Sequence, residues 1–412
     1  GASAMYGGGS TGGIINIITK KGRDALGNSE TWLGAKSGLN SSEDLEWQVA
    51  QAVSTSKDKM DARLAVSFNK SGTMYDSDGD MVLQDVTQTS SQDVSQLDIM
   101  ANAGFNLSDT KRLEIMAQFY DSGQDSDLGV DWGTNFSNVL NPNKKIEMKD
   151  GFKSDDQAET VRGLIAASYS DSDFFNQTMN LQVFYRNESL HFNPYVDVTK
   201  YGAFASNGLL GQIPVSASEQ NTEVVGAKLV FTAEPTSALN LVYGVDFDYE
   251  EFESTQSFYD SAIAGATGGL NYKKIGETSR YPEVHTTSFA TFLQANYEIT
   301  SSWSVNAGTR YQYTNTEVDD FVDVDQQYMI LLGKYNSADE IKGGEKSYSN
   351  VLVNAGTVYK INKEQQLWLN FSQGFEVPDP AKYYGQGKYN DLGGLTGYGS
   401  TLLNGVSVSD SP

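Results

Sequence analysis

The stretch from Tyr6 to Gly22, YGGGSTGGIINIITKKG, carries glycines spaced as in a dinucleotide-binding loop. Gly7 to Gly12 fit the G-x-G-x-x-G pattern, and Glu30 follows at a distance suited to a ribose-binding carboxylate. A phosphate-binding loop of this kind needs a helix after it, because the helix N-terminus holds the phosphate. Here the glycines run into residues 14–19, IINIIT, whose β-branched side chains predict a strand. The sequence therefore argues against a nucleotide site.

Two other groups of residues could bind metal. Asp76–Asp80, DSDGD, has closely spaced carboxylates around a glycine, as calcium loops do, but its glycine comes fourth and not sixth. A polar turn is the favoured interpretation, with calcium as the alternative. His191 and His285 are the only histidines, and both are predicted to lie in loops. There they could ligate a haem iron or be ordinary surface residues.

Composition narrows the class of protein further. The 412 residues include no cysteine, which excludes disulfides and thiolate metal sites, and two histidines leave little material for a zinc site or a histidine-based triad. We therefore predict no enzyme and no covalently bound cofactor. The formal charge is −24, from 53 acidic and 29 basic residues. Nucleic-acid binding needs a cluster of basic residues, so this composition argues against a nucleic-acid-binding protein.

The elements that must position any site are strands. Apolar and polar residues alternate with a period of two in runs such as Leu97–Asn106 and Leu241–Tyr249, as in half-buried β-strands. Thirteen such runs are predicted. They cover residues 31–40, 46–55, 59–70, 94–106, 111–121, 161–170, 177–190, 220–233, 238–251, 286–299, 303–316, 349–361 and 365–375.

The connections between these strands alternate between short turns and long loops, so every long loop falls at one end of the sheet. This pattern is typical of outer-membrane β-barrels, which have short periplasmic turns and long extracellular loops. Several strands also exceed ten residues, as a tilted membrane crossing requires. Aromatic residues are predicted on the lipid-facing side, at Phe105, Phe119, Tyr243, Tyr297 and Tyr311.

Three alternatives are less consistent with the sequence. A large soluble β-protein has no reason to sort its loops by length. A soluble carbohydrate-active protein would need paired carboxylates, yet the acidic residues sit singly on alternating faces. A passive porin would share the barrel but would lack the segment before the first strand.

That segment provides the first family resemblance. Tyr6-Gly7 and Gly12–Gly22 resemble the end of the plug domain in TonB-dependent outer-membrane receptors. The resemblance extends over the chain and is closest to the ferric-aerobactin receptors, which take up a hydroxamate-citrate siderophore. The segments that carry it are Gly38–Ser42, Arg186–Leu190, Gly268–Ile275, Arg280–Pro282, Arg310–Thr314 and Leu367–Gly385.

The resemblance implies an all-β protein, a transmembrane antiparallel β-barrel with about thirteen of 22 strands present. Residues 1–28 would be the C-terminal end of the plug domain with its linker, and residues 29–412 a partial barrel with long extracellular loops. The rest of the plug, including the box that contacts TonB, would lie upstream of Gly1, and the closing strands beyond Pro412. The implied location is the outer membrane of a Gram-negative bacterium. The implied partners are a ferric siderophore, the inner-membrane TonB energy-transducing complex, and outer-membrane lipid with lipopolysaccharide, but no nucleic acid.

A ferric hydroxamate-citrate complex carries carboxylates, so a receptor for it would use arginine donors and aromatic faces. Strand alternation directs Arg186 and Arg310 into the lumen near the outer ends of their strands, and the remaining candidates lie in or near the outer loops. The predicted substrate-binding residues are Arg186, Tyr195, Arg280, Tyr281, Arg310, Tyr313, Phe375, Tyr383 and Tyr384. The alternative for each arginine is a structural pairing with a nearby acid such as Glu188 or Asp248. Lys20 and Lys21 are predicted to anchor the linker between plug and barrel. A receptor for another hydroxamate, a catecholate or haem is the alternative function.

Overall fold

The computed structural model describes most of the chain. The residues described are 15, 17–24, 29–84, 92–139, 141, 143–197, 213–377, 379, 384–390, 397–406 and 408. The glycine-rich stretch before Ile15 and the predicted site residue Tyr383 lie outside them.

A single curved wall of thirteen strands dominates the structure, and it confirms the thirteen strands predicted from alternation. We number them β1 to β13. Their bounds are β1 Ser29–Lys36, β2 Glu46–Lys57, β3 Met60–Lys70, β4 Val94–Asn106, β5 Lys111–Gln124, β6 Glu159–Asp171, β7 Thr178–His191, β8 Val215–Thr236, β9 Leu239–Tyr259, β10 Val284–Thr300, β11 Trp303–Val318, β12 Gly344–Lys360 and β13 Gln366–Ser372.

Each wall strand pairs antiparallel with the strands before and after it in the chain. Because side chains alternate between the two faces of a strand, one face of this wall is apolar and the other is polar. In β11, for example, Tyr311 is exposed on the apolar outward face, whereas Arg310 and Gln312 point to the inward face and are buried. Such an arrangement suits a wall with lipid on one side and a polar lumen on the other.

The two ends of the wall differ as the sequence predicts. One end carries the tight connections 58–59, 107–110, 172–177, 237–238, 301–302 and 361–365. The other end carries 37–45, 71–93, 125–158, 192–214, 260–283 and 319–343. We call the second end the outer end.

Strands β8 and β9 are longer than predicted, at 22 and 21 residues. A tilted membrane strand needs about 9–11 residues, so roughly half of this hairpin rises beyond the apolar band. Its upper part is held by a short strand, Lys274–Ser279, that pairs with β9.

The outer loops contain small elements of their own. Among the described residues these loops contain two helices, α1 Ser261–Ala266 and α2 Val324–Leu331, and each begins at an aspartate whose side chain accepts at least one backbone N–H, as N-caps do. The 3-10 helices Ser42–Asp44 and Thr134–Phe136 also lie in outer loops, whereas the 3-10 helix Gly22–Asp24 precedes β1. The short strands are Leu128–Asp131 with Glu147–Asp150, Lys153–Ser154 with Asn271–Tyr272, Tyr195–Val196 with the start of β8, Tyr335–Ala338 with Tyr398–Ser400, and Gly387–Tyr389 with Leu402–Gly405. None of the helices within the described ranges is long and apolar enough to cross a bilayer.

An apolar core holds three of the outer loops together. Residues from loops 125–158, 192–214 and 260–283 form one buried cluster around the ring of Tyr259, which is fully buried. The Tyr259 hydroxyl donates a hydrogen bond to Asp156, at 3.2 Å. Burial raises the pKa of this tyrosine well above its usual value, so it stays neutral at physiological pH. The outer ends of β8 and β9 and these three loops therefore pack together around a common apolar core.

The strand predicted for residues 14–19 is wrong for the residues that the structure describes. Ile15, Ile17 and Ile18 belong to no strand and are 91, 82 and 81% exposed, because no described segment pairs with them. Among the described residues between the glycines and β1, the only helix is the three-residue 3-10 turn at Gly22–Asp24. The described residues therefore offer no helix N-terminus that could hold a phosphate next to the glycine stretch.

The two lysines of this segment contact the wall, as predicted. Lys20 pairs with Glu30 of β1 at 2.8 Å, and Lys21 pairs with Glu114 of β5. Glu114 also accepts a hydrogen bond from Arg112. These ion pairs fasten the N-terminal segment to the inward face of the wall at its turn end.

Candidate functional site

Arg280 is the outermost of the three predicted arginines. Its backbone N–H donates to the carbonyl of Ser254 on β9, which fixes the residue against the upper hairpin. Its Nη1 donates to the side-chain oxygen of Gln256 at 2.9 Å, and its guanidinium lies 5.2 Å from the centre of the Tyr281 ring. Arg280 pairs with no carboxylate among the described residues. Its positive charge is held by neutral groups and remains available to an anion.

Tyr281 and Tyr384 come together behind this arginine. Tyr384 is 4% exposed and belongs to an apolar cluster with Val284 and Val318, against which Tyr281 packs. Both tyrosines were predicted to bind the substrate. The burial of Tyr384 restricts it to supporting Tyr281, whereas Tyr281 is half-buried and shares the Arg280 site.

Arg186 lies on the inward face of β7 and is exposed there. It makes no salt bridge among the described residues, but it lies close enough to Glu250 of β9 to interact electrostatically with that carboxylate. Glu188, the acid considered as its partner, instead binds Arg162. Arg186 therefore presents a second guanidinium toward the lumen.

Arg310 differs from the prediction in position and in partners. It is the eighth of the sixteen residues of β11, so it lies in the middle of the strand and not near the outer end. It is 3% exposed, with Nη1 at 2.6 Å from Asp246 and Nε at 2.8 Å from Gln312. Asp246 also lies 3.3 Å from Lys228, and the Phe292 ring lies between the two cations. Its acidic partner is Asp246 and not Asp248, and its charge is already paired.

Cross-strand register gives the spacing of the three arginines along the strands. Arg280 lies level with Leu190, four residues above Arg186 on β7, which corresponds to about 13 Å. Arg186 shares a row with Thr316, six residues above Arg310 on β11, which corresponds to about 20 Å. The three predicted arginines therefore lie at three different heights on the inward face, and they do not form one pocket.

The other predicted residues lie elsewhere. Tyr313 is predicted to lie at or beyond the outer end of its strand, but it is the eleventh of the sixteen residues of β11. It shares the outward face with Tyr311, and its hydroxyl contacts Ser347. Tyr195 lies in loop 192–214 beside the apolar loop core, where it pairs with Ser216 of β8. Phe375 follows the end of β13 and is partly exposed.

Both histidines were predicted to lie in loops, because the predicted strands were shorter. The structure places both at strand ends. His191 is the last residue of β7, and His285 is the second residue of β10. Both lie on the same face as the outward-facing side chains of their strands, such as Val183 and Phe289. Outward-facing imidazoles cannot ligate a haem inside the lumen, which counts against the haem alternative.

The acidic turn Asp76–Asp80 uses its carboxylates within the fold. Asp76 Oδ1 accepts the N–H groups of Asp78 and Asp80, at 3.0 and 2.9 Å. The Asp80 carboxylate binds Lys145 of the next long loop. These contacts favour the polar turn over a calcium loop.

Sequence reasoning missed Gln256, which holds Arg280. The predicted strand ended at residue 251, so Gln256 was assigned to a loop, although it continues the inward-facing positions of Asp246 and Asp248. Gln327 of α2 was also missed. Its side-chain amide bonds both the N–H and the carbonyl of Ser279, at 3.2 and 3.0 Å, and so ties loop 319–343 to the residue before Arg280.

A thirteen-stranded antiparallel meander with an apolar outward face, a polar inward face and long loops at one end describes part of a β-barrel. Residues 101–405 match the family model of the TonB dependent receptor-like β-barrel. The chain belongs to this family.

Similar proteins share the whole length of the chain. It is 41% identical over 413 residues to the rhizobactin receptor of Rhizobium meliloti (strain 1021), and 42% identical over 411 residues to the ferric aerobactin receptor of Klebsiella pneumoniae. Each match covers 100% of this chain and 54% of the relative, so the chain spans about half the length of these curated relatives.

Two solved structures share the fold. The siderophore receptor PiuA of Acinetobacter baumannii aligns with a TM-score of 0.59 and 16% identity, over 97% of this chain and 54% of that one. The unliganded ferric citrate transporter FecA aligns with a TM-score of 0.58 and 16% identity, over 91% of this chain and 48% of that one.

Proposed function

We propose that the protein is an outer-membrane receptor of a Gram-negative bacterium that captures a ferric siderophore of the hydroxamate-citrate type, such as ferric aerobactin, and imports it. The observation that carries the proposal is Arg280, the outermost of the three inward-facing arginines, which pairs with no carboxylate among the described residues. The names of the two similar receptors support this ligand class.

The chemistry of such a ligand fits the site. Its carboxylates can accept paired hydrogen bonds from a guanidinium, and its organic part can pack on an aromatic ring such as Tyr281. A hydrogen bond to a charged group contributes about 1.5–3 kcal/mol, so Arg280 can supply a large part of the selectivity for an anion. The chain has a net charge of −24, so an inward-facing arginine such as Arg280, which pairs with no carboxylate among the described residues, stands out from the surrounding excess of acidic side chains.

Import follows capture in this proposal. Arg186 lies below Arg280 on the same face, so an anionic complex that leaves the first arginine meets a second one on its way down. The driving energy would come from the inner-membrane TonB complex, a proposal supported by the match to the TonB dependent receptor-like barrel family. Outer-membrane lipid and lipopolysaccharide would contact the apolar outward face.

Growth rescue tests the proposal. The full-length protein is expressed in an iron-starved strain that lacks its own receptors, and aerobactin, another hydroxamate, a catecholate or haem is supplied as the iron source. We expect growth with aerobactin that depends on TonB. Growth with haem or the catecholate but not with aerobactin would refute the ligand class while leaving the transport class intact. Growth in the absence of TonB would contradict active transport.

A further inference from the structure

We propose that Glu251, Glu283 and His285 form a binding site for a divalent metal ion of the Zn²⁺ class on the outward surface of the wall, above the apolar band. The three residues each offer one ligand atom, and these atoms all lie within 4.8 Å of one another. His285 Nε2 lies 3.2 Å from Glu283, and its Nδ1 lies 3.9 Å from Glu251. One imidazole nitrogen with two carboxylate oxygens is a donor set that suits Zn²⁺.

Tyr249 orients the imidazole for this role. Its hydroxyl oxygen lies 3.0 Å from His285 Nδ1, and the two rings stack with their centres 6.2 Å apart and an interplanar angle of 12°. Metal-bound histidines donate their second ring N–H to a partner of this kind, which fixes the tautomer. With Nδ1–H donating to Tyr249, the lone pair of Nε2 points toward Glu283 and is free for a metal ion.

The surrounding charges favour a cation. On the outward face, His285 lies directly between Glu251 of β9 and Glu317 of β11, and the same row continues to Glu223 of β8 and Glu345 of β12. Like charges on adjacent strands destabilise a sheet. None of the four wall glutamates pairs with a lysine or arginine among the described residues. A single imidazole therefore faces an excess of carboxylates.

The carboxylate of Glu283 adds to this crowding. It is partly buried and lies 3.2 Å from His285 Nε2. A divalent ion would relieve that repulsion. It would also tie the end of loop 260–283, at Glu283, to β9 and β10. The row lies four residues, or about 13 Å, above Tyr313 on the outward face, so the ion would be reached from the aqueous side of the apolar band.

Calorimetric titration of the full-length protein with Zn²⁺ tests the proposal. The protein is freed of metal with a chelator in detergent micelles, and Ca²⁺ and Mg²⁺ are titrated in parallel. We expect one equivalent of Zn²⁺ to bind in the wild type. His285→Asn should abolish the saturable binding, and Glu283→Gln should weaken it at least about tenfold. Tyr249→Phe, which removes the hydroxyl that contacts His285 and Glu251, should weaken it about 10–100-fold.

His191→Asn is the matched control. His191 also lies between two glutamates in register, Glu159 and Glu219, but no metal-binding group of three forms around it in the described part of the chain. The control should bind Zn²⁺ like the wild type. The proposal is overturned if the wild type shows no saturable binding, if His285→Asn binds like the wild type, or if Tyr249→Phe leaves the affinity unchanged. Heat-modifiable electrophoretic migration confirms that each variant is folded.

Discussion

Arg280→Met removes the guanidinium that is held by neutral groups while keeping a long, apolar side chain beside Tyr281. One of its nitrogens already donates to Gln256, which leaves the rest of its five N–H groups for an incoming carboxylate. A hydrogen bond to a charged group contributes about 1.5–3 kcal/mol, and each 1.4 kcal/mol changes a dissociation constant tenfold. We therefore expect the Kd for ferric aerobactin to rise about 10–150-fold, with the lower end favoured because Arg280 is only half-buried.

Quenching of intrinsic tryptophan fluorescence by the ferric siderophore, with the full-length protein in detergent, measures this change. Arg162→Met is the matched control, because Arg162 also lies on the inward face but is already paired with Glu188. We expect less than about a threefold change in that variant. If Arg280→Met binds like the wild type, or if both variants weaken binding equally, a specific role for Arg280 is refuted.

Two other predictions concern stability. Arg310→Met leaves the Asp246 carboxylate paired with Lys228 alone in a buried setting, so it should lower the unfolding free energy by about 3–5 kcal/mol. The measurement is the temperature at which the heat-modifiable band shift occurs, which should fall. The double variant Arg310→Met, Asp246→Asn should recover much of the lost stability. The Lys342 ammonium beside Asp320 lowers the pKa of that carboxyl, so the ion pair is fully formed above the usual aspartate pKa and is lost as the pH falls through the lowered value. Exchange protection of the Gly343 amide, which donates to Asp320 at 2.8 Å, should persist at pH 4 and disappear on further acidification; loss already at pH 5 would contradict this.

The wall was predictable because its signals are local. A period of two in residues such as Leu97–Asn106 reflects a strand with one lipid-facing side, and sequential antiparallel pairing follows from the turn lengths. The predicted segment at residues 14–19 shows the limit of this reasoning. Its isoleucines have strand-forming side chains, but a strand also needs a partner for its backbone groups, and the local sequence does not specify one.

The site was predictable in its residue types but not in its arrangement. Alternation correctly placed Arg310 on the inward face, and the same rule places Tyr313 on the outward face with Tyr311. Depth and partners depend on register and on where strands end. Arg310 lies in mid-strand against Asp246, and Gln256 reaches Arg280 only because β9 continues to Tyr259. The burial of Tyr384 depends on contacts with distant β10 and β11, which no local pattern encodes.

The sequential pairing of the wall strands has a consequence for folding. Each strand pairs with its neighbours in the chain, and half of these pairings close only a short turn, so the wall can grow by one hairpin at a time. The small strands of the outer loops behave differently, because Lys153–Ser154 pairs with Asn271–Tyr272, which belongs to a loop four wall strands later. That contact cannot form until β6 to β9 are in place. The packed outer end, including the segment that carries Arg280, should therefore be the last part of this chain to acquire its native structure.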